Sequence, residues 1–278
     1  MRMMIIMSKY NRPEIKQITK QWVRENIKHV TERDIGLLTL LHENKRRLLR
    51  RDQIQRLYPV FESVSVLNRR LRKLYELYIL DRFYPRVGIG QGSSQQLVCL
   101  DRAGLILLNI DKYNKPINQD YNGNKILFLG WEHKVLLNEY ECIIRGLVDN
   151  INGEILFYKV EESISFFDNQ FVPDIFLLIE CQGKGYLFFI EVDLGTEDIP
   201  YIKRKINSYK EYYLSRLWIG EIWAKLFENP TFPRILFMTV NGRFKRVETL
   251  KNYTNELSIK CHFGFHCDFE KVIIDYLQ

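Results

Sequence analysis

The stretch VPDIFLLIECQGKGYLFFIEVD, residues 172–193, constrains the fold of this chain more than any other. Two short apolar runs rich in β-branched and aromatic residues flank QGKG, a tight-turn signal, so the runs form a hairpin. Asp174 follows Pro173 near the start of the first strand. Glu191 and Asp193 stand two apart at the end of the second, hence on one face of it. The segments around the hairpin alternate in type. LGWEHKVLLNEYECIIRGLV places Val135, Leu136, Tyr140, Ile143 and Leu147 at near-helical spacing, and ILFYKVEE at 155–162 reads as a strand. A long amphipathic helix is expected from about 200 to 227, with Pro200 suited to its first turn. PRILFMTV then reads as a buried strand, RFKRVETLKNYTNE as a helix and IKCHFGFHCDF as a last strand or loop. Helix, three strands, helix, strand, helix, strand make a mixed-sheet α/β domain over 127–278.

The first part of the chain differs in charge. Residues 1–120 hold 23 Lys and Arg against 12 Asp and Glu, whereas residues 121–278 hold 18 against 22. A basic head on a slightly acidic body suggests that the head meets a polyanion. In TERDIGLLTLLHENKR, Thr31 can cap a helix with Glu32 and Asp34 in its first turn, and Ile35, Leu38 and Leu41 supply an apolar stripe. RRDQIQRLYP follows as a short helix ended by Pro59, with Ile54 and Leu57 inward. In SVSVLNRRLRKLYELYILDR the inward set is Val66 or Leu67, Leu71, Leu74 and Leu77, with Asn68, Arg69, Arg72 and Lys73 on the other side. RFYPRV and QLVCL are strands around the loop GIGQGSS, and Asp101 starts a closing helix. Three helices, the last one basic, followed by a β-wing define a winged helix-turn-helix over 31–110.

Such a module lays its third helix in the major groove of duplex DNA, where arginines fork onto guanine or hold phosphates. Neighbouring helical residues point about 100° apart, so Arg69, Arg70, Arg72 and Lys73 cannot all face the groove. The DNA-binding candidates are Ser63, Ser65, Asn68, Arg69, Arg72 and Lys73, with Arg86 from the wing. A winged helix that binds protein or dimerises is the alternative, and a homodimer is compatible with either. Residues 1–30 form a helical extension with Ile15, Ile18, Val23 and Ile27 on one side, and polar residues 111–126 read as a linker.

The five cysteines are scattered, odd in number and mostly within apolar runs, which fits reduced thiols and a cytoplasmic protein. No run approaches the ~20 apolar residues of a membrane span, so no membrane partner is expected. The glycines at 88, 90 and 92 lack the Lys-Ser/Thr of a phosphate-binding loop. CHFGFHC at 261–267 offers four zinc-type side chains, but all come from one short run, and packing on a sheet is the simpler reading.

Phosphodiester hydrolysis of the metal type needs carboxylates that hold Mg²⁺ and a cation near the scissile phosphate. Asp174, Glu191 and Asp193, with Glu139 from the preceding helix, are the candidate ligands, and Asp174 and Glu191 the catalytic pair. Lys203 or Lys205 from the following helix could supply the catalytic cation; both could equally hold DNA backbone. The structural alternative is an Asp common at strand starts and a Glu-x-Asp that caps a strand-to-helix turn.

TERDIGLLTLL, LNRRLRKLYELYILDR, CLDRAGLILL, EHKVLLNEY and VPDIFLLIE…FFIEVDLGTE…KINSYKEYY come in an order that resembles the replication-relaxation family of plasmids and integrative elements. The resemblance runs over about 30–215 and implies a winged-helix DNA-binding part with a role in replication, relaxation or mobilisation of a mobile element. The second part also resembles the PD-(D/E)XK nuclease fold through Pro173, Asp174 and Glu191. Asp193 stands where that motif has its lysine, a departure that bears on cleavage and not on fold. Three readings follow: a DNA-binding protein with a nuclease-like domain, an active Mg²⁺-dependent endonuclease or nickase, and a module that recruits other replication or transfer proteins.

Overall fold

A computed structural model describes residues 6–7, 12, 15, 17–85, 95–113, 115–119, 125–257 and 259–277. Two compact units divide the chain, Met1–Cys142 and Ile143–Gln278. Both mix helices with β-sheet, so the class is α+β.

The first unit runs β1 (Ile6–Met7), α1 (Lys20–Asn26), α2 (Glu32–His42), β2 (Leu49–Arg50), α3 (Arg51–Leu57) and α4 (Val64–Glu76). It continues with β3 (Leu80–Pro85), β4 (Leu97–Leu100), α5 (Arg102–Leu107), β5 (Ile117–Gln119), β6 (Lys125–Leu127) and the start of α6 (Trp131–Asn150). α2 begins where Thr31 predicts. The Thr31 N–H donates to the Asp34 carboxylate at 2.8 Å, and the Thr31 hydroxyl accepts from the Asp34 N–H, a reciprocal cap worth about 1 kcal/mol. Leu37, Leu38 and Leu41 are fully buried, whereas Ile35, expected inward, is 37% exposed. The stripe is rotated because Asp34 itself is buried, paired with Arg70 of α4. Leu67, Leu71 and Leu74 of α4 join the same core, as does Ile54 of α3.

The N-terminal helix is shorter than the sequence suggests. Thr19 caps it by accepting from the Trp22 N–H at 3.1 Å, which leaves Ile15 and Ile18 ahead of its first turn. Residues 111–126, expected as a linker, include β5 and part of β6, which pair antiparallel. β3 and β4 are antiparallel, with Leu80 opposite Leu100. The GIGQGSS loop and Arg86 lie outside the described residues. At Gly104 a Cβ would lie 2.3 Å from the Ile79 carbonyl oxygen, because α5 packs directly on the backbone entering β3. Gly104→Ala is therefore expected to lower the stability of this unit by about 1–3 kcal/mol through overpacking against rigid backbone. A urea midpoint equal to that of the parent protein would show that α5 can move aside.

The second unit contains the end of α6, then β7 (Glu154–Val160), β8 (Ile164–Phe166), β9 (Asn169–Phe171), β10 (Ile175–Cys181) and β11 (Lys184–Asp193). α7 (Ile199–Ser215), β12 (Arg234–Thr239), α8 (Phe244–Asn255), β13 (Cys261–Phe265) and α9 (Phe269–Leu277) complete it. Its sheet has the order β13-β12-β11-β10-β7. β10 is antiparallel to both β7 and β11, while β11, β12 and β13 run parallel. Phe176, Phe189 and Phe237 on one face form a core with Ile202, Ile206 and Tyr209 of α7 and Leu250 of α8.

Three features depart from the sequence expectations. α7 ends at Ser215, not near 227, because Arg216 takes a left-handed conformation (φ 60°). Two 3₁₀ turns follow, Leu217–Gly220 and Ala224–Leu226, and both Trp218 and Trp223 are buried. The β8–β9 hairpin and α9 were not expected. α9 puts Phe269, Val272 and Ile273 into the interior.

Candidate functional site

The β10–β11 register pairs Ile175 with Ile190, so the next step outward sets Asp174 opposite Glu191. Cross-strand partners share one face of a sheet, so both carboxylates lie at the same end of the hairpin. The Val192 N–H donates to Asp174 Oδ2 at 2.7 Å and fixes that side chain against β11. Glu191 points beneath α7, where it is 2% exposed. There Lys205 Nζ donates to Glu191 Oε2 and the Tyr209 hydroxyl donates to Oε1.

Lys205 and Tyr209 reach one carboxylate because they are four residues apart on a helix. Tyr209 belongs to the buried stripe Ile202, Ile206, Tyr209 and Tyr212 that fastens α7 to the sheet, and half-buried Lys205 borders it. The Tyr209 ring lies 4.6 Å from Phe171 and 5.3 Å from Phe189, centroid to centroid, so the roof over Glu191 is aromatic. Burial pushes the Glu191 carboxyl up to about 8; the charge of Asp174 acts in the same direction, while Lys205 and Tyr209 pull against it. Burial would lower Lys205, but the adjacent charges of Glu191 and Asp174 outweigh it and raise its pKa above the ordinary lysine value. Lys205 is thus a fixed cation beside two acids.

Asp193 is engaged differently. Its Oδ1 accepts from the Gly195 N–H at 2.7 Å, and its Oδ2 accepts from the Thr239 hydroxyl at 2.8 Å and from Arg246 Nε at 2.7 Å. His266 Nε2 lies 3.0 Å from the Asp193 carbonyl oxygen. Asp193 therefore ties the end of β11 to β12 and α8. Lys203 lies over the Tyr253 ring, 4.4 Å from its centroid. Glu139 belongs to the first unit, where Arg50, Arg56 and the Gln53 amide (3.1 Å) all donate to its carboxylate. Of the expected cluster, Asp174, Glu191 and Lys205 come together. Among the described residues no group of three or more His, Cys, Asp or Glu is arranged to hold a metal ion. Cys261 and His262 lie on β13, and burial pushes the Cys261 thiol up to about 12.

Of the residues expected to face DNA, Ser65, Asn68, Arg69, Arg72 and Lys73 share one side of α4. Ser65, Arg69, Arg72 and Lys73 are exposed, and Asn68 is half-buried. Ser63 is the N-cap, its hydroxyl accepting from the Val66 N–H at 3.3 Å. Arg72 pairs with Glu76 at 2.9 Å on the open surface. Arg70 is turned inward: its Nε donates to Asp34 Oδ1 at 2.6 Å. Burial alone would raise Asp34, but hydrogen bonds from Arg70 and Thr31 outweigh it and hold the carboxyl below its ordinary value.

The chain matches the replication-relaxation family model over residues 38–221. It belongs to that family. No curated protein matches it. Among solved structures, protein VC1899 from Vibrio cholerae is similar at 12% identity and a TM-score of 0.29, over 90% of this chain and 57% of that one. The chain thus spans little more than half the length of that protein. No helix among the described residues is long and apolar enough to cross a membrane.

Proposed function

We propose that this replication-relaxation protein binds duplex DNA through a winged helix-turn-helix spanning about 31–110, with α4 as the helix that enters the major groove. The observation that carries the reading is the sorting of the α4 cations. Arg70 is spent on Asp34 inside the unit, while Arg69, Arg72 and Lys73 stand on its open side with Ser65. An i, i+4, i+7, i+8 spacing gives one continuous strip, the arrangement that follows a groove.

Arg69→Ala with Arg72→Ala should weaken duplex binding on the order of 10–100-fold. The plot of log affinity against log salt should also flatten by about 0.9 for each phosphate the variant no longer neutralises. Fluorescence anisotropy of a labelled duplex at several salt concentrations reads both quantities. Unchanged affinity and slope would remove α4 from the interface.

A second reading is favoured by the lysine on Glu191. The second unit resembles the PD-(D/E)XK arrangement with its lysine delivered by α7 in place of the strand, and it would then cut DNA strands. Asp174 and Glu191 are hard oxygen donors that suit Mg²⁺, which commonly takes one or two protein carboxylates and keeps several waters. The ion would supply charge neutralisation at the phosphate and a more acidic bound water. Lys205 would hold a positive charge on the phosphate oxygens, and Tyr209 would orient Glu191. The pH dependence follows from the raised Glu191 pKa: its proton must leave before it can ligate a cation, so Mg²⁺ affinity should climb as pH rises toward about 8. Isothermal titration with Mn²⁺ across that range tests it, and a flat profile would exclude Glu191 as a ligand.

A further inference from the structure

A basic cleft opens at the start of α8. Ile199, Gly242, Arg243, Phe244, Lys245 and Arg246 line it, with Thr249 one turn further on, around a volume of about 660 Å³. Arg246 is structurally committed, its Nε on Asp193 and its Nη2 donating to the Glu197 carbonyl at 2.6 Å. Arg243 and Lys245 are exposed, and among the described residues no acidic group pairs with either. The first turn of α8 holds no acidic residue. Two exposed cations thus stand at the N-cap and first turn of α8, its positive end, an arrangement that an anion would relieve.

Phe244 adds a second, separate observation. Its ring is 68% exposed, far more than a ring at a helix start needs, yet it is held edge-on against Phe265 at 5.0 Å between centroids. A flat, fixed and open aromatic between two cations has the chemistry of a stacking platform for an unpaired base, with phosphates to either side. A duplex buries its base faces within its own stack and cannot use such a ring.

We infer that this cleft binds single-stranded nucleic acid, Phe244 stacking on one base while Arg243 and Lys245 hold the flanking phosphates. The inference extends the second reading above. Arg246 joins the cleft to Asp193, and Asp193 follows Glu191 by two strand residues, roughly 7 Å. The cleft therefore borders Asp193, on the same strand as Glu191. Displaced single strand is the species that unwinding of a nicked duplex produces.

The test is equilibrium binding of a fluorescent single-stranded oligonucleotide to the full chain in EDTA, so that no cleavage is needed and loss of nuclease activity leaves the result readable. Phe244→Ala should weaken it roughly 5- to 100-fold. Arg243→Gln with Lys245→Gln should flatten the salt dependence by about 1.4 in log–log slope, two single-strand phosphates at about 0.7 each. Duplex binding by the same variants should stay within twofold of the parent, since all three side chains are exposed and none is in α4. Arg69→Ala/Arg72→Ala should show the reverse pattern. Single-strand affinity equal to the parent in both cleft variants overturns the inference. So does parallel loss of single-strand and duplex binding, or displacement of the oligonucleotide by inorganic phosphate alone at comparable ionic strength.

Discussion

Glu141→Ala is expected to cost the first unit about 3–5 kcal/mol. Arg46 and Glu141 are 2% and 1% exposed, and they meet through two parallel hydrogen bonds, Arg46 Nε to Oε2 being 2.9 Å long. Arg46 Nη1 also donates to the Leu40 carbonyl at 2.7 Å, so the guanidinium cannot swing out to water without breaking the end of α2. Removing the carboxylate leaves a buried guanidinium held by backbone carbonyls and the exposed Glu43 carboxylate, 3.9 Å away. Replacing both partners by leucine removes the charge together with its counter-ion, and that double variant should recover most of the loss. Amide exchange across α2 and α4 measures the effect locally. Equal protection in Glu141→Ala and the parent would mean that water already solvates Arg46.

The second large effect concerns cleavage. If the α7 lysine completes a cutting site, Asp174→Ala/Glu191→Ala should lower Mg²⁺- or Mn²⁺-dependent nicking of supercoiled plasmid by more than about 100-fold, since electrostatic and metal-holding groups of this kind each contribute at that scale. Lys205→Ala should fall comparably, and Lys203→Ala, whose ammonium rests on Tyr253, should fall little. That contrast separates a specific site from general loss of positive charge on α7. Nicking of the same strength in the parent and in the double carboxylate variant would instead identify a contaminant, and the second unit would then be a nuclease-like scaffold that does not cut.

The strands that carry this site were legible because their signals are local. QGKG fixes the hairpin, and the alternation after it sets Glu191 and Asp193 on one face. The partners of those acids were not legible, because they depend on which helix covers which strand end. Asp193 shares a face with Glu191, yet Thr239 and Arg246 arrive only once β12 and α8 have packed alongside. Glu139 reads as an acid beside an apolar stripe, and nothing nearby in sequence announces that Arg50 and Arg56 will claim it. Lys205 did leave a signal. It falls in the stripe 202, 205, 206, 209 that must face the sheet, whereas Lys203 lies off that stripe, and Tyr209 could have been found by the same count. The overlong reading of α7 has the opposite origin: LWIGEIW stays apolar past Ser215, and hydrophobicity alone does not register the left-handed turn at Arg216.

In the proposed complex the open side of α4 lies against duplex DNA. Photo-crosslinking tests it most directly, with benzoylphenylalanine placed singly at position 65 or 69 and, as a control, at exposed position 25 in α1. Covalent adducts with a bound duplex are expected from both α4 positions and none from position 25. Adducts from position 25 with none from 65 or 69 would contradict that placement and move the DNA to another surface of the chain.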